Sequence, residues 1–379
     1  MTPIEFILKF ESSVRGIATY LPAYLYISVY TYGRKIFLNN LIRHIPQNTF
    51  TPPELSNRIL WDIPFRCSLF NAAGMFKSGY GYELAAKQGA GAFLAGTTTA
   101  LARNGNIKNG IKHPFAPYPN AKASCNWMGL PNEGHEVIAA RLNRIERIAQ
   151  CPVGISIASD PSQTGITALQ GVFEGFHLFE KAKVDFIELN ESCPNVPHES
   201  HSDCRNKLDD ELINRLEFIS KHFLQKRNRN LPVIVKFSCD TEPELIEQLI
   251  DTLLLLGFDG INLGNTSINY DEAGRYIKGS EKRLFDYFTS HFGGGISGAP
   301  LKQLSLKLCS IANNYLSTKN PAKEFHIIRT GGIDSASDLI ESNGAGIRLN
   351  QWFAGYFHNF SKYGDLLYKE LFDYGGTCL

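Results

Sequence analysis

The chain has 379 residues, 43% of them hydrophobic, and carries 38 Lys and Arg against 37 Asp and Glu, a net charge of +1. That content supports one large core or two smaller ones, and so even a charge balance gives no electrostatic case for nucleic acid as the main partner. Eight cysteines, at 67, 125, 151, 193, 204, 239, 309 and 378, include no C-x-x-C pair. This argues against a zinc site, a thioredoxin-type motif or a disulfide scaffold, and for free thiols in a reducing compartment.

Residues 1–47 differ from the rest. They contain no Asp, and Lys9, Arg15, Arg34, Lys35 and Arg43 against Glu5 and Glu11 give 5 − 2 = +3. Glu5 and Glu11 interrupt the start, so no cleaved secretory signal is expected. No apolar run reaches the ~18 residues that a spanning helix needs. Pro22 divides the segment into two expected helices, 3–20 and 23–44, with Phe37, Leu41 and Ile45 on one face. Such a basic amphipathic pair either lies in a membrane interface or caps the main domain. Tyr24, Tyr26, Tyr30 and Tyr32 also permit a strand. The polar stretch 46–57 reads as a linker, dividing an extension, 1–47, from a catalytic domain, 58–379.

From residue 68 short apolar runs recur at 68–73, 92–96, 152–158, 186–190, 232–238, 260–265, 325–330 and 346–350. Helix-period segments separate them near 81–89, 133–149, 164–182, 209–226, 242–257, 300–316, 335–342 and 353–372. Eight alternations predict an α/β fold of the parallel (β/α)8, or TIM, barrel type. The open doubly wound sheet is the alternative, but no Gly-x-Gly-x-x-Gly follows the first run.

Barrel enzymes build their site where strands end. Ala73, Gly74 and Lys77 follow the first run, Thr97 the second, and a long excursion ends at Asn126-Trp127-Met128-Gly129-Leu130-Pro131-Asn132. The fourth run enters Asn190-Glu191-Ser192-Cys193-Pro194-Asn195-Val196-Pro197, whose prolines stiffen the loop. Its amides both donate and accept hydrogen bonds, as a flat ring of C=O and N–H groups requires. Its thiol is a base or nucleophile once ionised; a structural Cys in a turn is the plainer alternative. Lys236 ends the fifth run and could stabilise negative charge on an electron-rich ring. Gly264, Asn265 and Thr266 end the sixth, before Gly294-Gly295-Ile296-Ser297-Gly298. Gly331 and Gly332 end the seventh; glycine turns opening onto helices present backbone N–H groups to phosphate. These ends carry no metal-ligand cluster.

Seven ordered pieces resemble the dihydroorotate dehydrogenase family across about 60–350. They are Asn71-Ala72-Ala73-Gly74-Met75-Phe76-Lys77, Asn126-x-Met128-Gly129-Leu130-Pro131-Asn132, Asn190-x-Ser192-Cys193-Pro194-Asn195-Val196, Val235-Lys236, Asn265-Thr266, Gly294-Gly295-Ile296-Ser297-Gly298 and Gly331-Gly332-Ile333. The resemblance implies oxidation of dihydroorotate to orotate in pyrimidine synthesis, with FMN over the barrel mouth. It makes Cys193 the base. Asn126, Asn190, Asn195, Asn265 and Thr266, with the backbone at Gly129 and Leu130, would read the substrate ring, and Lys77 would face its carboxylate. Lys236 would meet the flavin pyrimidine edge. Ala73, Gly74, Lys77, Thr97, Ser156, Asn190, Gly264, Gly295, Ser297, Gly298, Gly331 and Gly332 would complete the FMN site.

The chain combines features of two branches of that family. Cys193 as base resembles the soluble branch; Lys77, Asn265-Thr266, the glycine segment and the helical extension resemble the membrane-bound, quinone-using branch. Quinone is therefore the implied acceptor and the cytoplasmic face of the cell membrane the implied place. Fumarate as acceptor, another pyrimidine as substrate, or a non-catalytic paralogue without FMN are the alternatives. The stretch after the second strand that bears Arg in the membrane branch, here 111–115, has none. Ser156 stands where Asn is expected. Gln351-Trp352-Phe353 replaces a small-residue phosphate step, which Arg348 or Ala354-Gly355 would have to rebuild.

Overall fold

The structure, a computed structural model, describes residues 3–191 and 208–375. Eight strands form the predicted barrel: β1 (Leu69–Asn71), β2 (Phe93–Thr98), β3 (Val153–Ile157), β4 (Phe186–Asn190), β5 (Val233–Phe237), β6 (Gly260–Leu263), β7 (His326–Thr330) and β8 (Leu349–Trp352). They run in the order β1-β8-β7-β6-β5-β4-β3-β2, parallel throughout. The seam between β1 and β2 is closed by a side chain together with backbone bonds, among them the Gly91 N–H to the Leu69 carbonyl at 2.8 Å. The Asn71 amide donates to the Leu94 carbonyl at 2.7 Å and accepts from the Leu94 N–H at 3.1 Å, while the Gly74 N–H donates to the Gly96 carbonyl at 2.8 Å. Asn71 thus completes one rung with both halves of its amide.

Each strand is buried on both faces, which is why its sequence reads as an apolar run rather than a clean alternation. On β4 the two faces differ in chemistry: Ile187 and Leu189 join the large core under the helices, whereas Phe186, Glu188 and Asn190 occupy the other face. The bottom of the barrel is apolar. Phe70, Leu94, Phe186, Ile234, Ile328 and Leu349 pack there against Leu60, Trp61 and Phe65 of a hairpin (Arg58–Leu60 with Ile63–Phe65).

The outer helices are α3 (Tyr82–Gln88), α4 (His135–Leu142), α5 (Gly165–Lys181), α6 (Asp210–Ile219), α7 (Ile246–Leu256), α10 (Lys302–Lys319), α11 (Ala336–Gly344), α12 (Ala354–Tyr363) and α13 (Leu367–Gly375). The expected single helix at 353–372 is two, broken where Gly364 takes φ 57°. The eighth strand lies later than the 346–350 run: Gly346 turns the chain at φ 76°, and Gln351 and Trp352 belong to the strand itself.

One feature was not predicted. A three-stranded antiparallel sheet (Phe115–Tyr118, Ala123–Asn126, Gly295–Gly298) stands over the barrel mouth, backed by α8 (Tyr270–Gly274) and α9 (Ser280–His291). The N-terminal segment forms the two expected helices, α1 (Pro3–Ala18) and α2 (Ala23–Leu41), and not the alternative strand that its tyrosines permitted. Tyr26 shows why: it is fully buried against the accessory sheet, and its hydroxyl donates to the Pro117 carbonyl at 2.7 Å. No helix among the described residues is long and apolar enough to cross a membrane.

Candidate active site

The C-terminal ends of the strands open into a cavity. Of the residues singled out in the sequence, Ala73, Gly74, Lys77, Thr97, Asn126, Leu130, Asn190, Lys236, Asn265, Thr266, Ser297, Gly298, Gly331 and Gly332 line it. Residues separated by more than 250 positions thus converge because every barrel strand ends at the same face and the accessory sheet stands over it. Cys193 and Asn195 lie outside the described residues. The end of β4 is anchored: the Glu191 N–H donates to the Lys236 carbonyl at 3.0 Å, and Arg215 grips the Glu191 carboxylate at 2.9 Å.

Four expected residues stand behind the lining. Ser156 is fully buried and its hydroxyl meets the Thr97 hydroxyl at 2.9 Å, so it supports Thr97. Gly264 is a point of close approach: a Cβ there would sit 1.6 Å from the Thr330 carbonyl oxygen. Gly295 makes room for Thr266, whose hydroxyl would be 1.9 Å from a Cβ, and Gly129 makes room for Asn106.

The cavity has three chemically distinct parts. At one end are Gly298, Gly331, Gly332, Ala354 and Gly355, beside the N-terminus of α12. A Cβ on Gly332, at φ 75°, would lie 2.4 Å from the Lys302 backbone. Only glycine lets the chain pass there, and the free N–H groups of the turn and helix form an anion cradle. Lys302 is paired with Asp334 at 3.0 Å and Asp338 at 2.8 Å, and Lys122 with Asp334 at 3.1 Å. The cradle is therefore chiefly backbone. Arg348 is exposed and takes no part, whereas Ala354-Gly355 line the cavity. Trp352 does not fill it. Strand alternation turns its indole outward, where Nε1 donates to the Tyr368 hydroxyl at 3.1 Å and the ring packs edge-on to Tyr356 and Tyr368.

The middle is a ring of amides and hydroxyls. The Asn190 amide donates to the Thr97 hydroxyl at 3.1 Å, and the Asn265 amide donates to the Asn190 carbonyl oxygen at 3.5 Å. The Thr266 hydroxyl is buried against Gly295 without a hydrogen-bond partner among the described residues. Below, Lys236 and Gln351 form the floor.

At the far end α2 delivers Arg34, which sequence reading did not assign to the site. Its guanidinium stacks over Phe115 at 5.2 Å and donates to the Met128 sulfur at 3.6 Å. Burial pulls it down to about 10. The stretch 111–115, which lacks an arginine, thus receives one from the N-terminal helix. No local signal could have shown this, because it depends on which face of α2 packs on the sheet.

Fold and site together define a (β/α)8 barrel protein whose mouth opens on a cavity with a glycine-lined end, a middle ring of amides and hydroxyls, and an arginine at the far end. The family model for dihydroorotate dehydrogenase matches residues 56–371. The dihydroorotate dehydrogenase (quinone) of Nautilia profundicola is 32% identical over 324 residues, 83% of this chain and 77% of that protein. The enzyme of the same name from Shewanella loihica is 29% identical over 304 residues, 80% of each chain. A crystal structure of DHODH from Eimeria tenella in complex with ferulenol shares the fold, with a TM-score of 0.71 at 20% identity, covering 91% of this chain and 93% of that one. The chain belongs to the dihydroorotate dehydrogenase family.

Proposed function

We infer that this protein oxidises dihydroorotate to orotate, with FMN as its cofactor and a quinone as electron acceptor. The observation that carries the reading is the convergence of Asn126, Asn190, Asn265, Lys77 and Lys236 on one cavity that ends in a glycine anion cradle. The residues present fit FMN: the cradle suits its phosphate, the amide ring suits flat heterocycles, and Lys236 suits an anionic ring edge.

FMN, when bound, supplies the hydride acceptor. The chain supplies the rest. The backbone of Gly298, Gly331, Gly332 and Gly355 holds the phosphate. Ala73, Gly74, Thr97, Asn190 and Lys236 hold the ring. Asn126, Asn190, Asn195 and Asn265 pair with the carbonyl and N–H edges of the pyrimidine, rejecting rings that would leave those amides unsatisfied. Lys77 meets the substrate carboxylate. The Cys193 thiolate takes the C5 proton; a thiol's reference pKa of ~8.5 lies far nearer neutrality than a serine hydroxyl's, which favours a base working near neutral pH.

The N-terminal pair suits an apolar acceptor. Phe6, Phe10 and Ile17 on α1, with Leu25, Val29, Tyr32 and Ile36 on α2, project their side chains to solvent at helical spacing. Such a surface docks peripherally in a bilayer interface, here on the cytoplasmic side, with basic residues beside it. Arg34 joins that pair to the cavity and offers a guanidinium to a quinone carbonyl.

The test is anaerobic addition of dihydroorotate to the purified yellow protein, followed by reoxidation. Bleaching near ~450 nm, as a flavin gives, and reoxidation by a short-chain quinone faster than by fumarate are expected. A colourless protein, or one that dihydroorotate does not bleach, overturns the reading; preference for fumarate overturns the acceptor.

A further inference from the structure

Beneath the amide ring, the barrel holds a closed polar layer that the reaction as described does not use. Glu188 is the only Asp or Glu in the eight described barrel strands, and it is 1% exposed. It shares a strand face with Asn190, one residue pair deeper. One carboxylate oxygen accepts from the Asn262 amide at 2.8 Å and from the Gln351 amide at 2.7 Å. The other has no hydrogen-bond partner among the described residues and lies 3.5 Å from the Lys236 ammonium. Lys236 also donates to the Gln351 carbonyl oxygen at 3.4 Å, and the Thr330 hydroxyl lies 3.0 Å from that oxygen and 2.9 Å from the Asn262 carbonyl oxygen. Lys236, Gln351 and Thr330 reach the cavity surface; Glu188 does not.

A charge so placed is costly to bury unless it has a purpose in the layer above it or a full set of partners, and one Glu188 oxygen lacks the latter. Its nearest charged partner is the lysine that forms the cavity floor. The carboxylate can therefore neutralise the field that Lys236 projects upward.

We propose that Glu188 is a positioning and charge-setting residue for the flavin, resting on the FMN reading above: it orients Lys236 and offsets its charge, so holding down the midpoint potential of the bound ring. Reduction adds negative charge to the ring, and a lone ammonium beneath would favour the reduced form. With Glu188 present, that bias is diminished, and the reduced flavin gives its electrons to the acceptor more readily. In a low-dielectric interior such a buried charge acts strongly.

The test uses FMN-loaded full-length protein and reads the midpoint potential by equilibration against dyes of known potential. Glu188→Gln keeps the shape and the Asn262 and Gln351 contacts but removes the charge. It should shift the oxidised-to-reduced equilibrium at least tenfold toward reduced flavin, an upward change of about 30 mV for a two-electron couple. Glu188→Asp keeps the charge but not the shape, and should stay within about threefold of the wild type. A purely structural role predicts the opposite order. An unchanged or lowered potential in Glu188→Gln overturns the proposal. If that variant releases its flavin, Glu188→Asp decides: a shift of tenfold or more overturns it, and a near-native potential supports it. Wild-type protein without flavin would overturn the functional reading and this with it; a flavin protein with the wrong variant order would overturn this alone.

Discussion

The barrel mouth and the N-terminal helix pair solve opposite problems. The mouth buries polar groups and satisfies many of them with one another, as in the Glu188, Asn262, Gln351 and Thr330 layer. The pair leaves large apolar groups in water: Phe6, Phe10, Ile17 and Tyr20 are each more than 60% exposed. Burying polar groups is costly and is tolerated where geometry matters; exposing a run of apolar side chains is costly and is tolerated where something covers them. The first region is built for precision and the second for contact. Arg34 belongs to the second in sequence and to the first in space.

Four experiments test that contrast, from the largest expected effect down. Gly264→Ala places a Cβ on the Thr330 carbonyl and should destabilise the fold by about 4 kcal/mol or more, measured by thermal unfolding. An unaltered Tm would show that the mouth yields where it is claimed to be rigid.

The second is a pH dependence that belongs to the barrel. His135 is 1% exposed, and burial pulls it down to about 4. An unfolded histidine titrates near ~6.5, so below that the unfolded chain binds the extra proton. Stability should therefore fall as pH drops from about 6.5 toward 4, by at most about 3 kcal/mol from this group. Denaturant titrations across that window measure it, and His135→Gln should flatten the slope; an equal slope in the variant would assign the loss elsewhere.

Third, Cys193→Ala should slow flavin reduction by dihydroorotate roughly 10²-fold or more in stopped-flow while FMN stays bound. Unchanged reduction would remove Cys193 as the base. Fourth and smallest for stability, Phe10→Glu with Ile17→Glu on α1 should leave the Tm within the equivalent of about 0.5 kcal/mol and leave turnover with a short-chain quinone intact. Sedimentation with anionic vesicles should drop roughly tenfold or more, since each buried apolar side chain contributes about 2 kcal/mol. Equal vesicle binding would mean that the exposed face meets something other than lipid.

What could be read in the chain was local. Strands such as β4 and β5 declared themselves because burial on both faces requires continuous apolar runs, and the residues after them fell at the mouth because parallel strands share one direction. Ala73, Gly74, Asn190, Lys236, Gly264, Gly331 and Gly332 lie at barrel-strand ends for that reason. Less legible were features that join distant segments. The accessory sheet pairs Asn126 with Gly295 and Ala123 with Gly298, and nothing near either segment names the other. Gln351-Trp352-Phe353 looked like an obstacle to a phosphate because sequence does not say which way an indole turns; strand alternation turns it toward Tyr368.

The sequence by itself determined the number of barrel strands, the ends that carry chemistry and the family, since periodicity and short motifs are properties of neighbours along the chain. Only the tertiary structure decided that Arg34 completes the cavity, that Trp352 leaves it open and that Glu188 lies under Lys236. Those are meetings between residues up to 163 positions apart, as Gln351 and Glu188 are, and they depend on register and packing that no local stretch encodes.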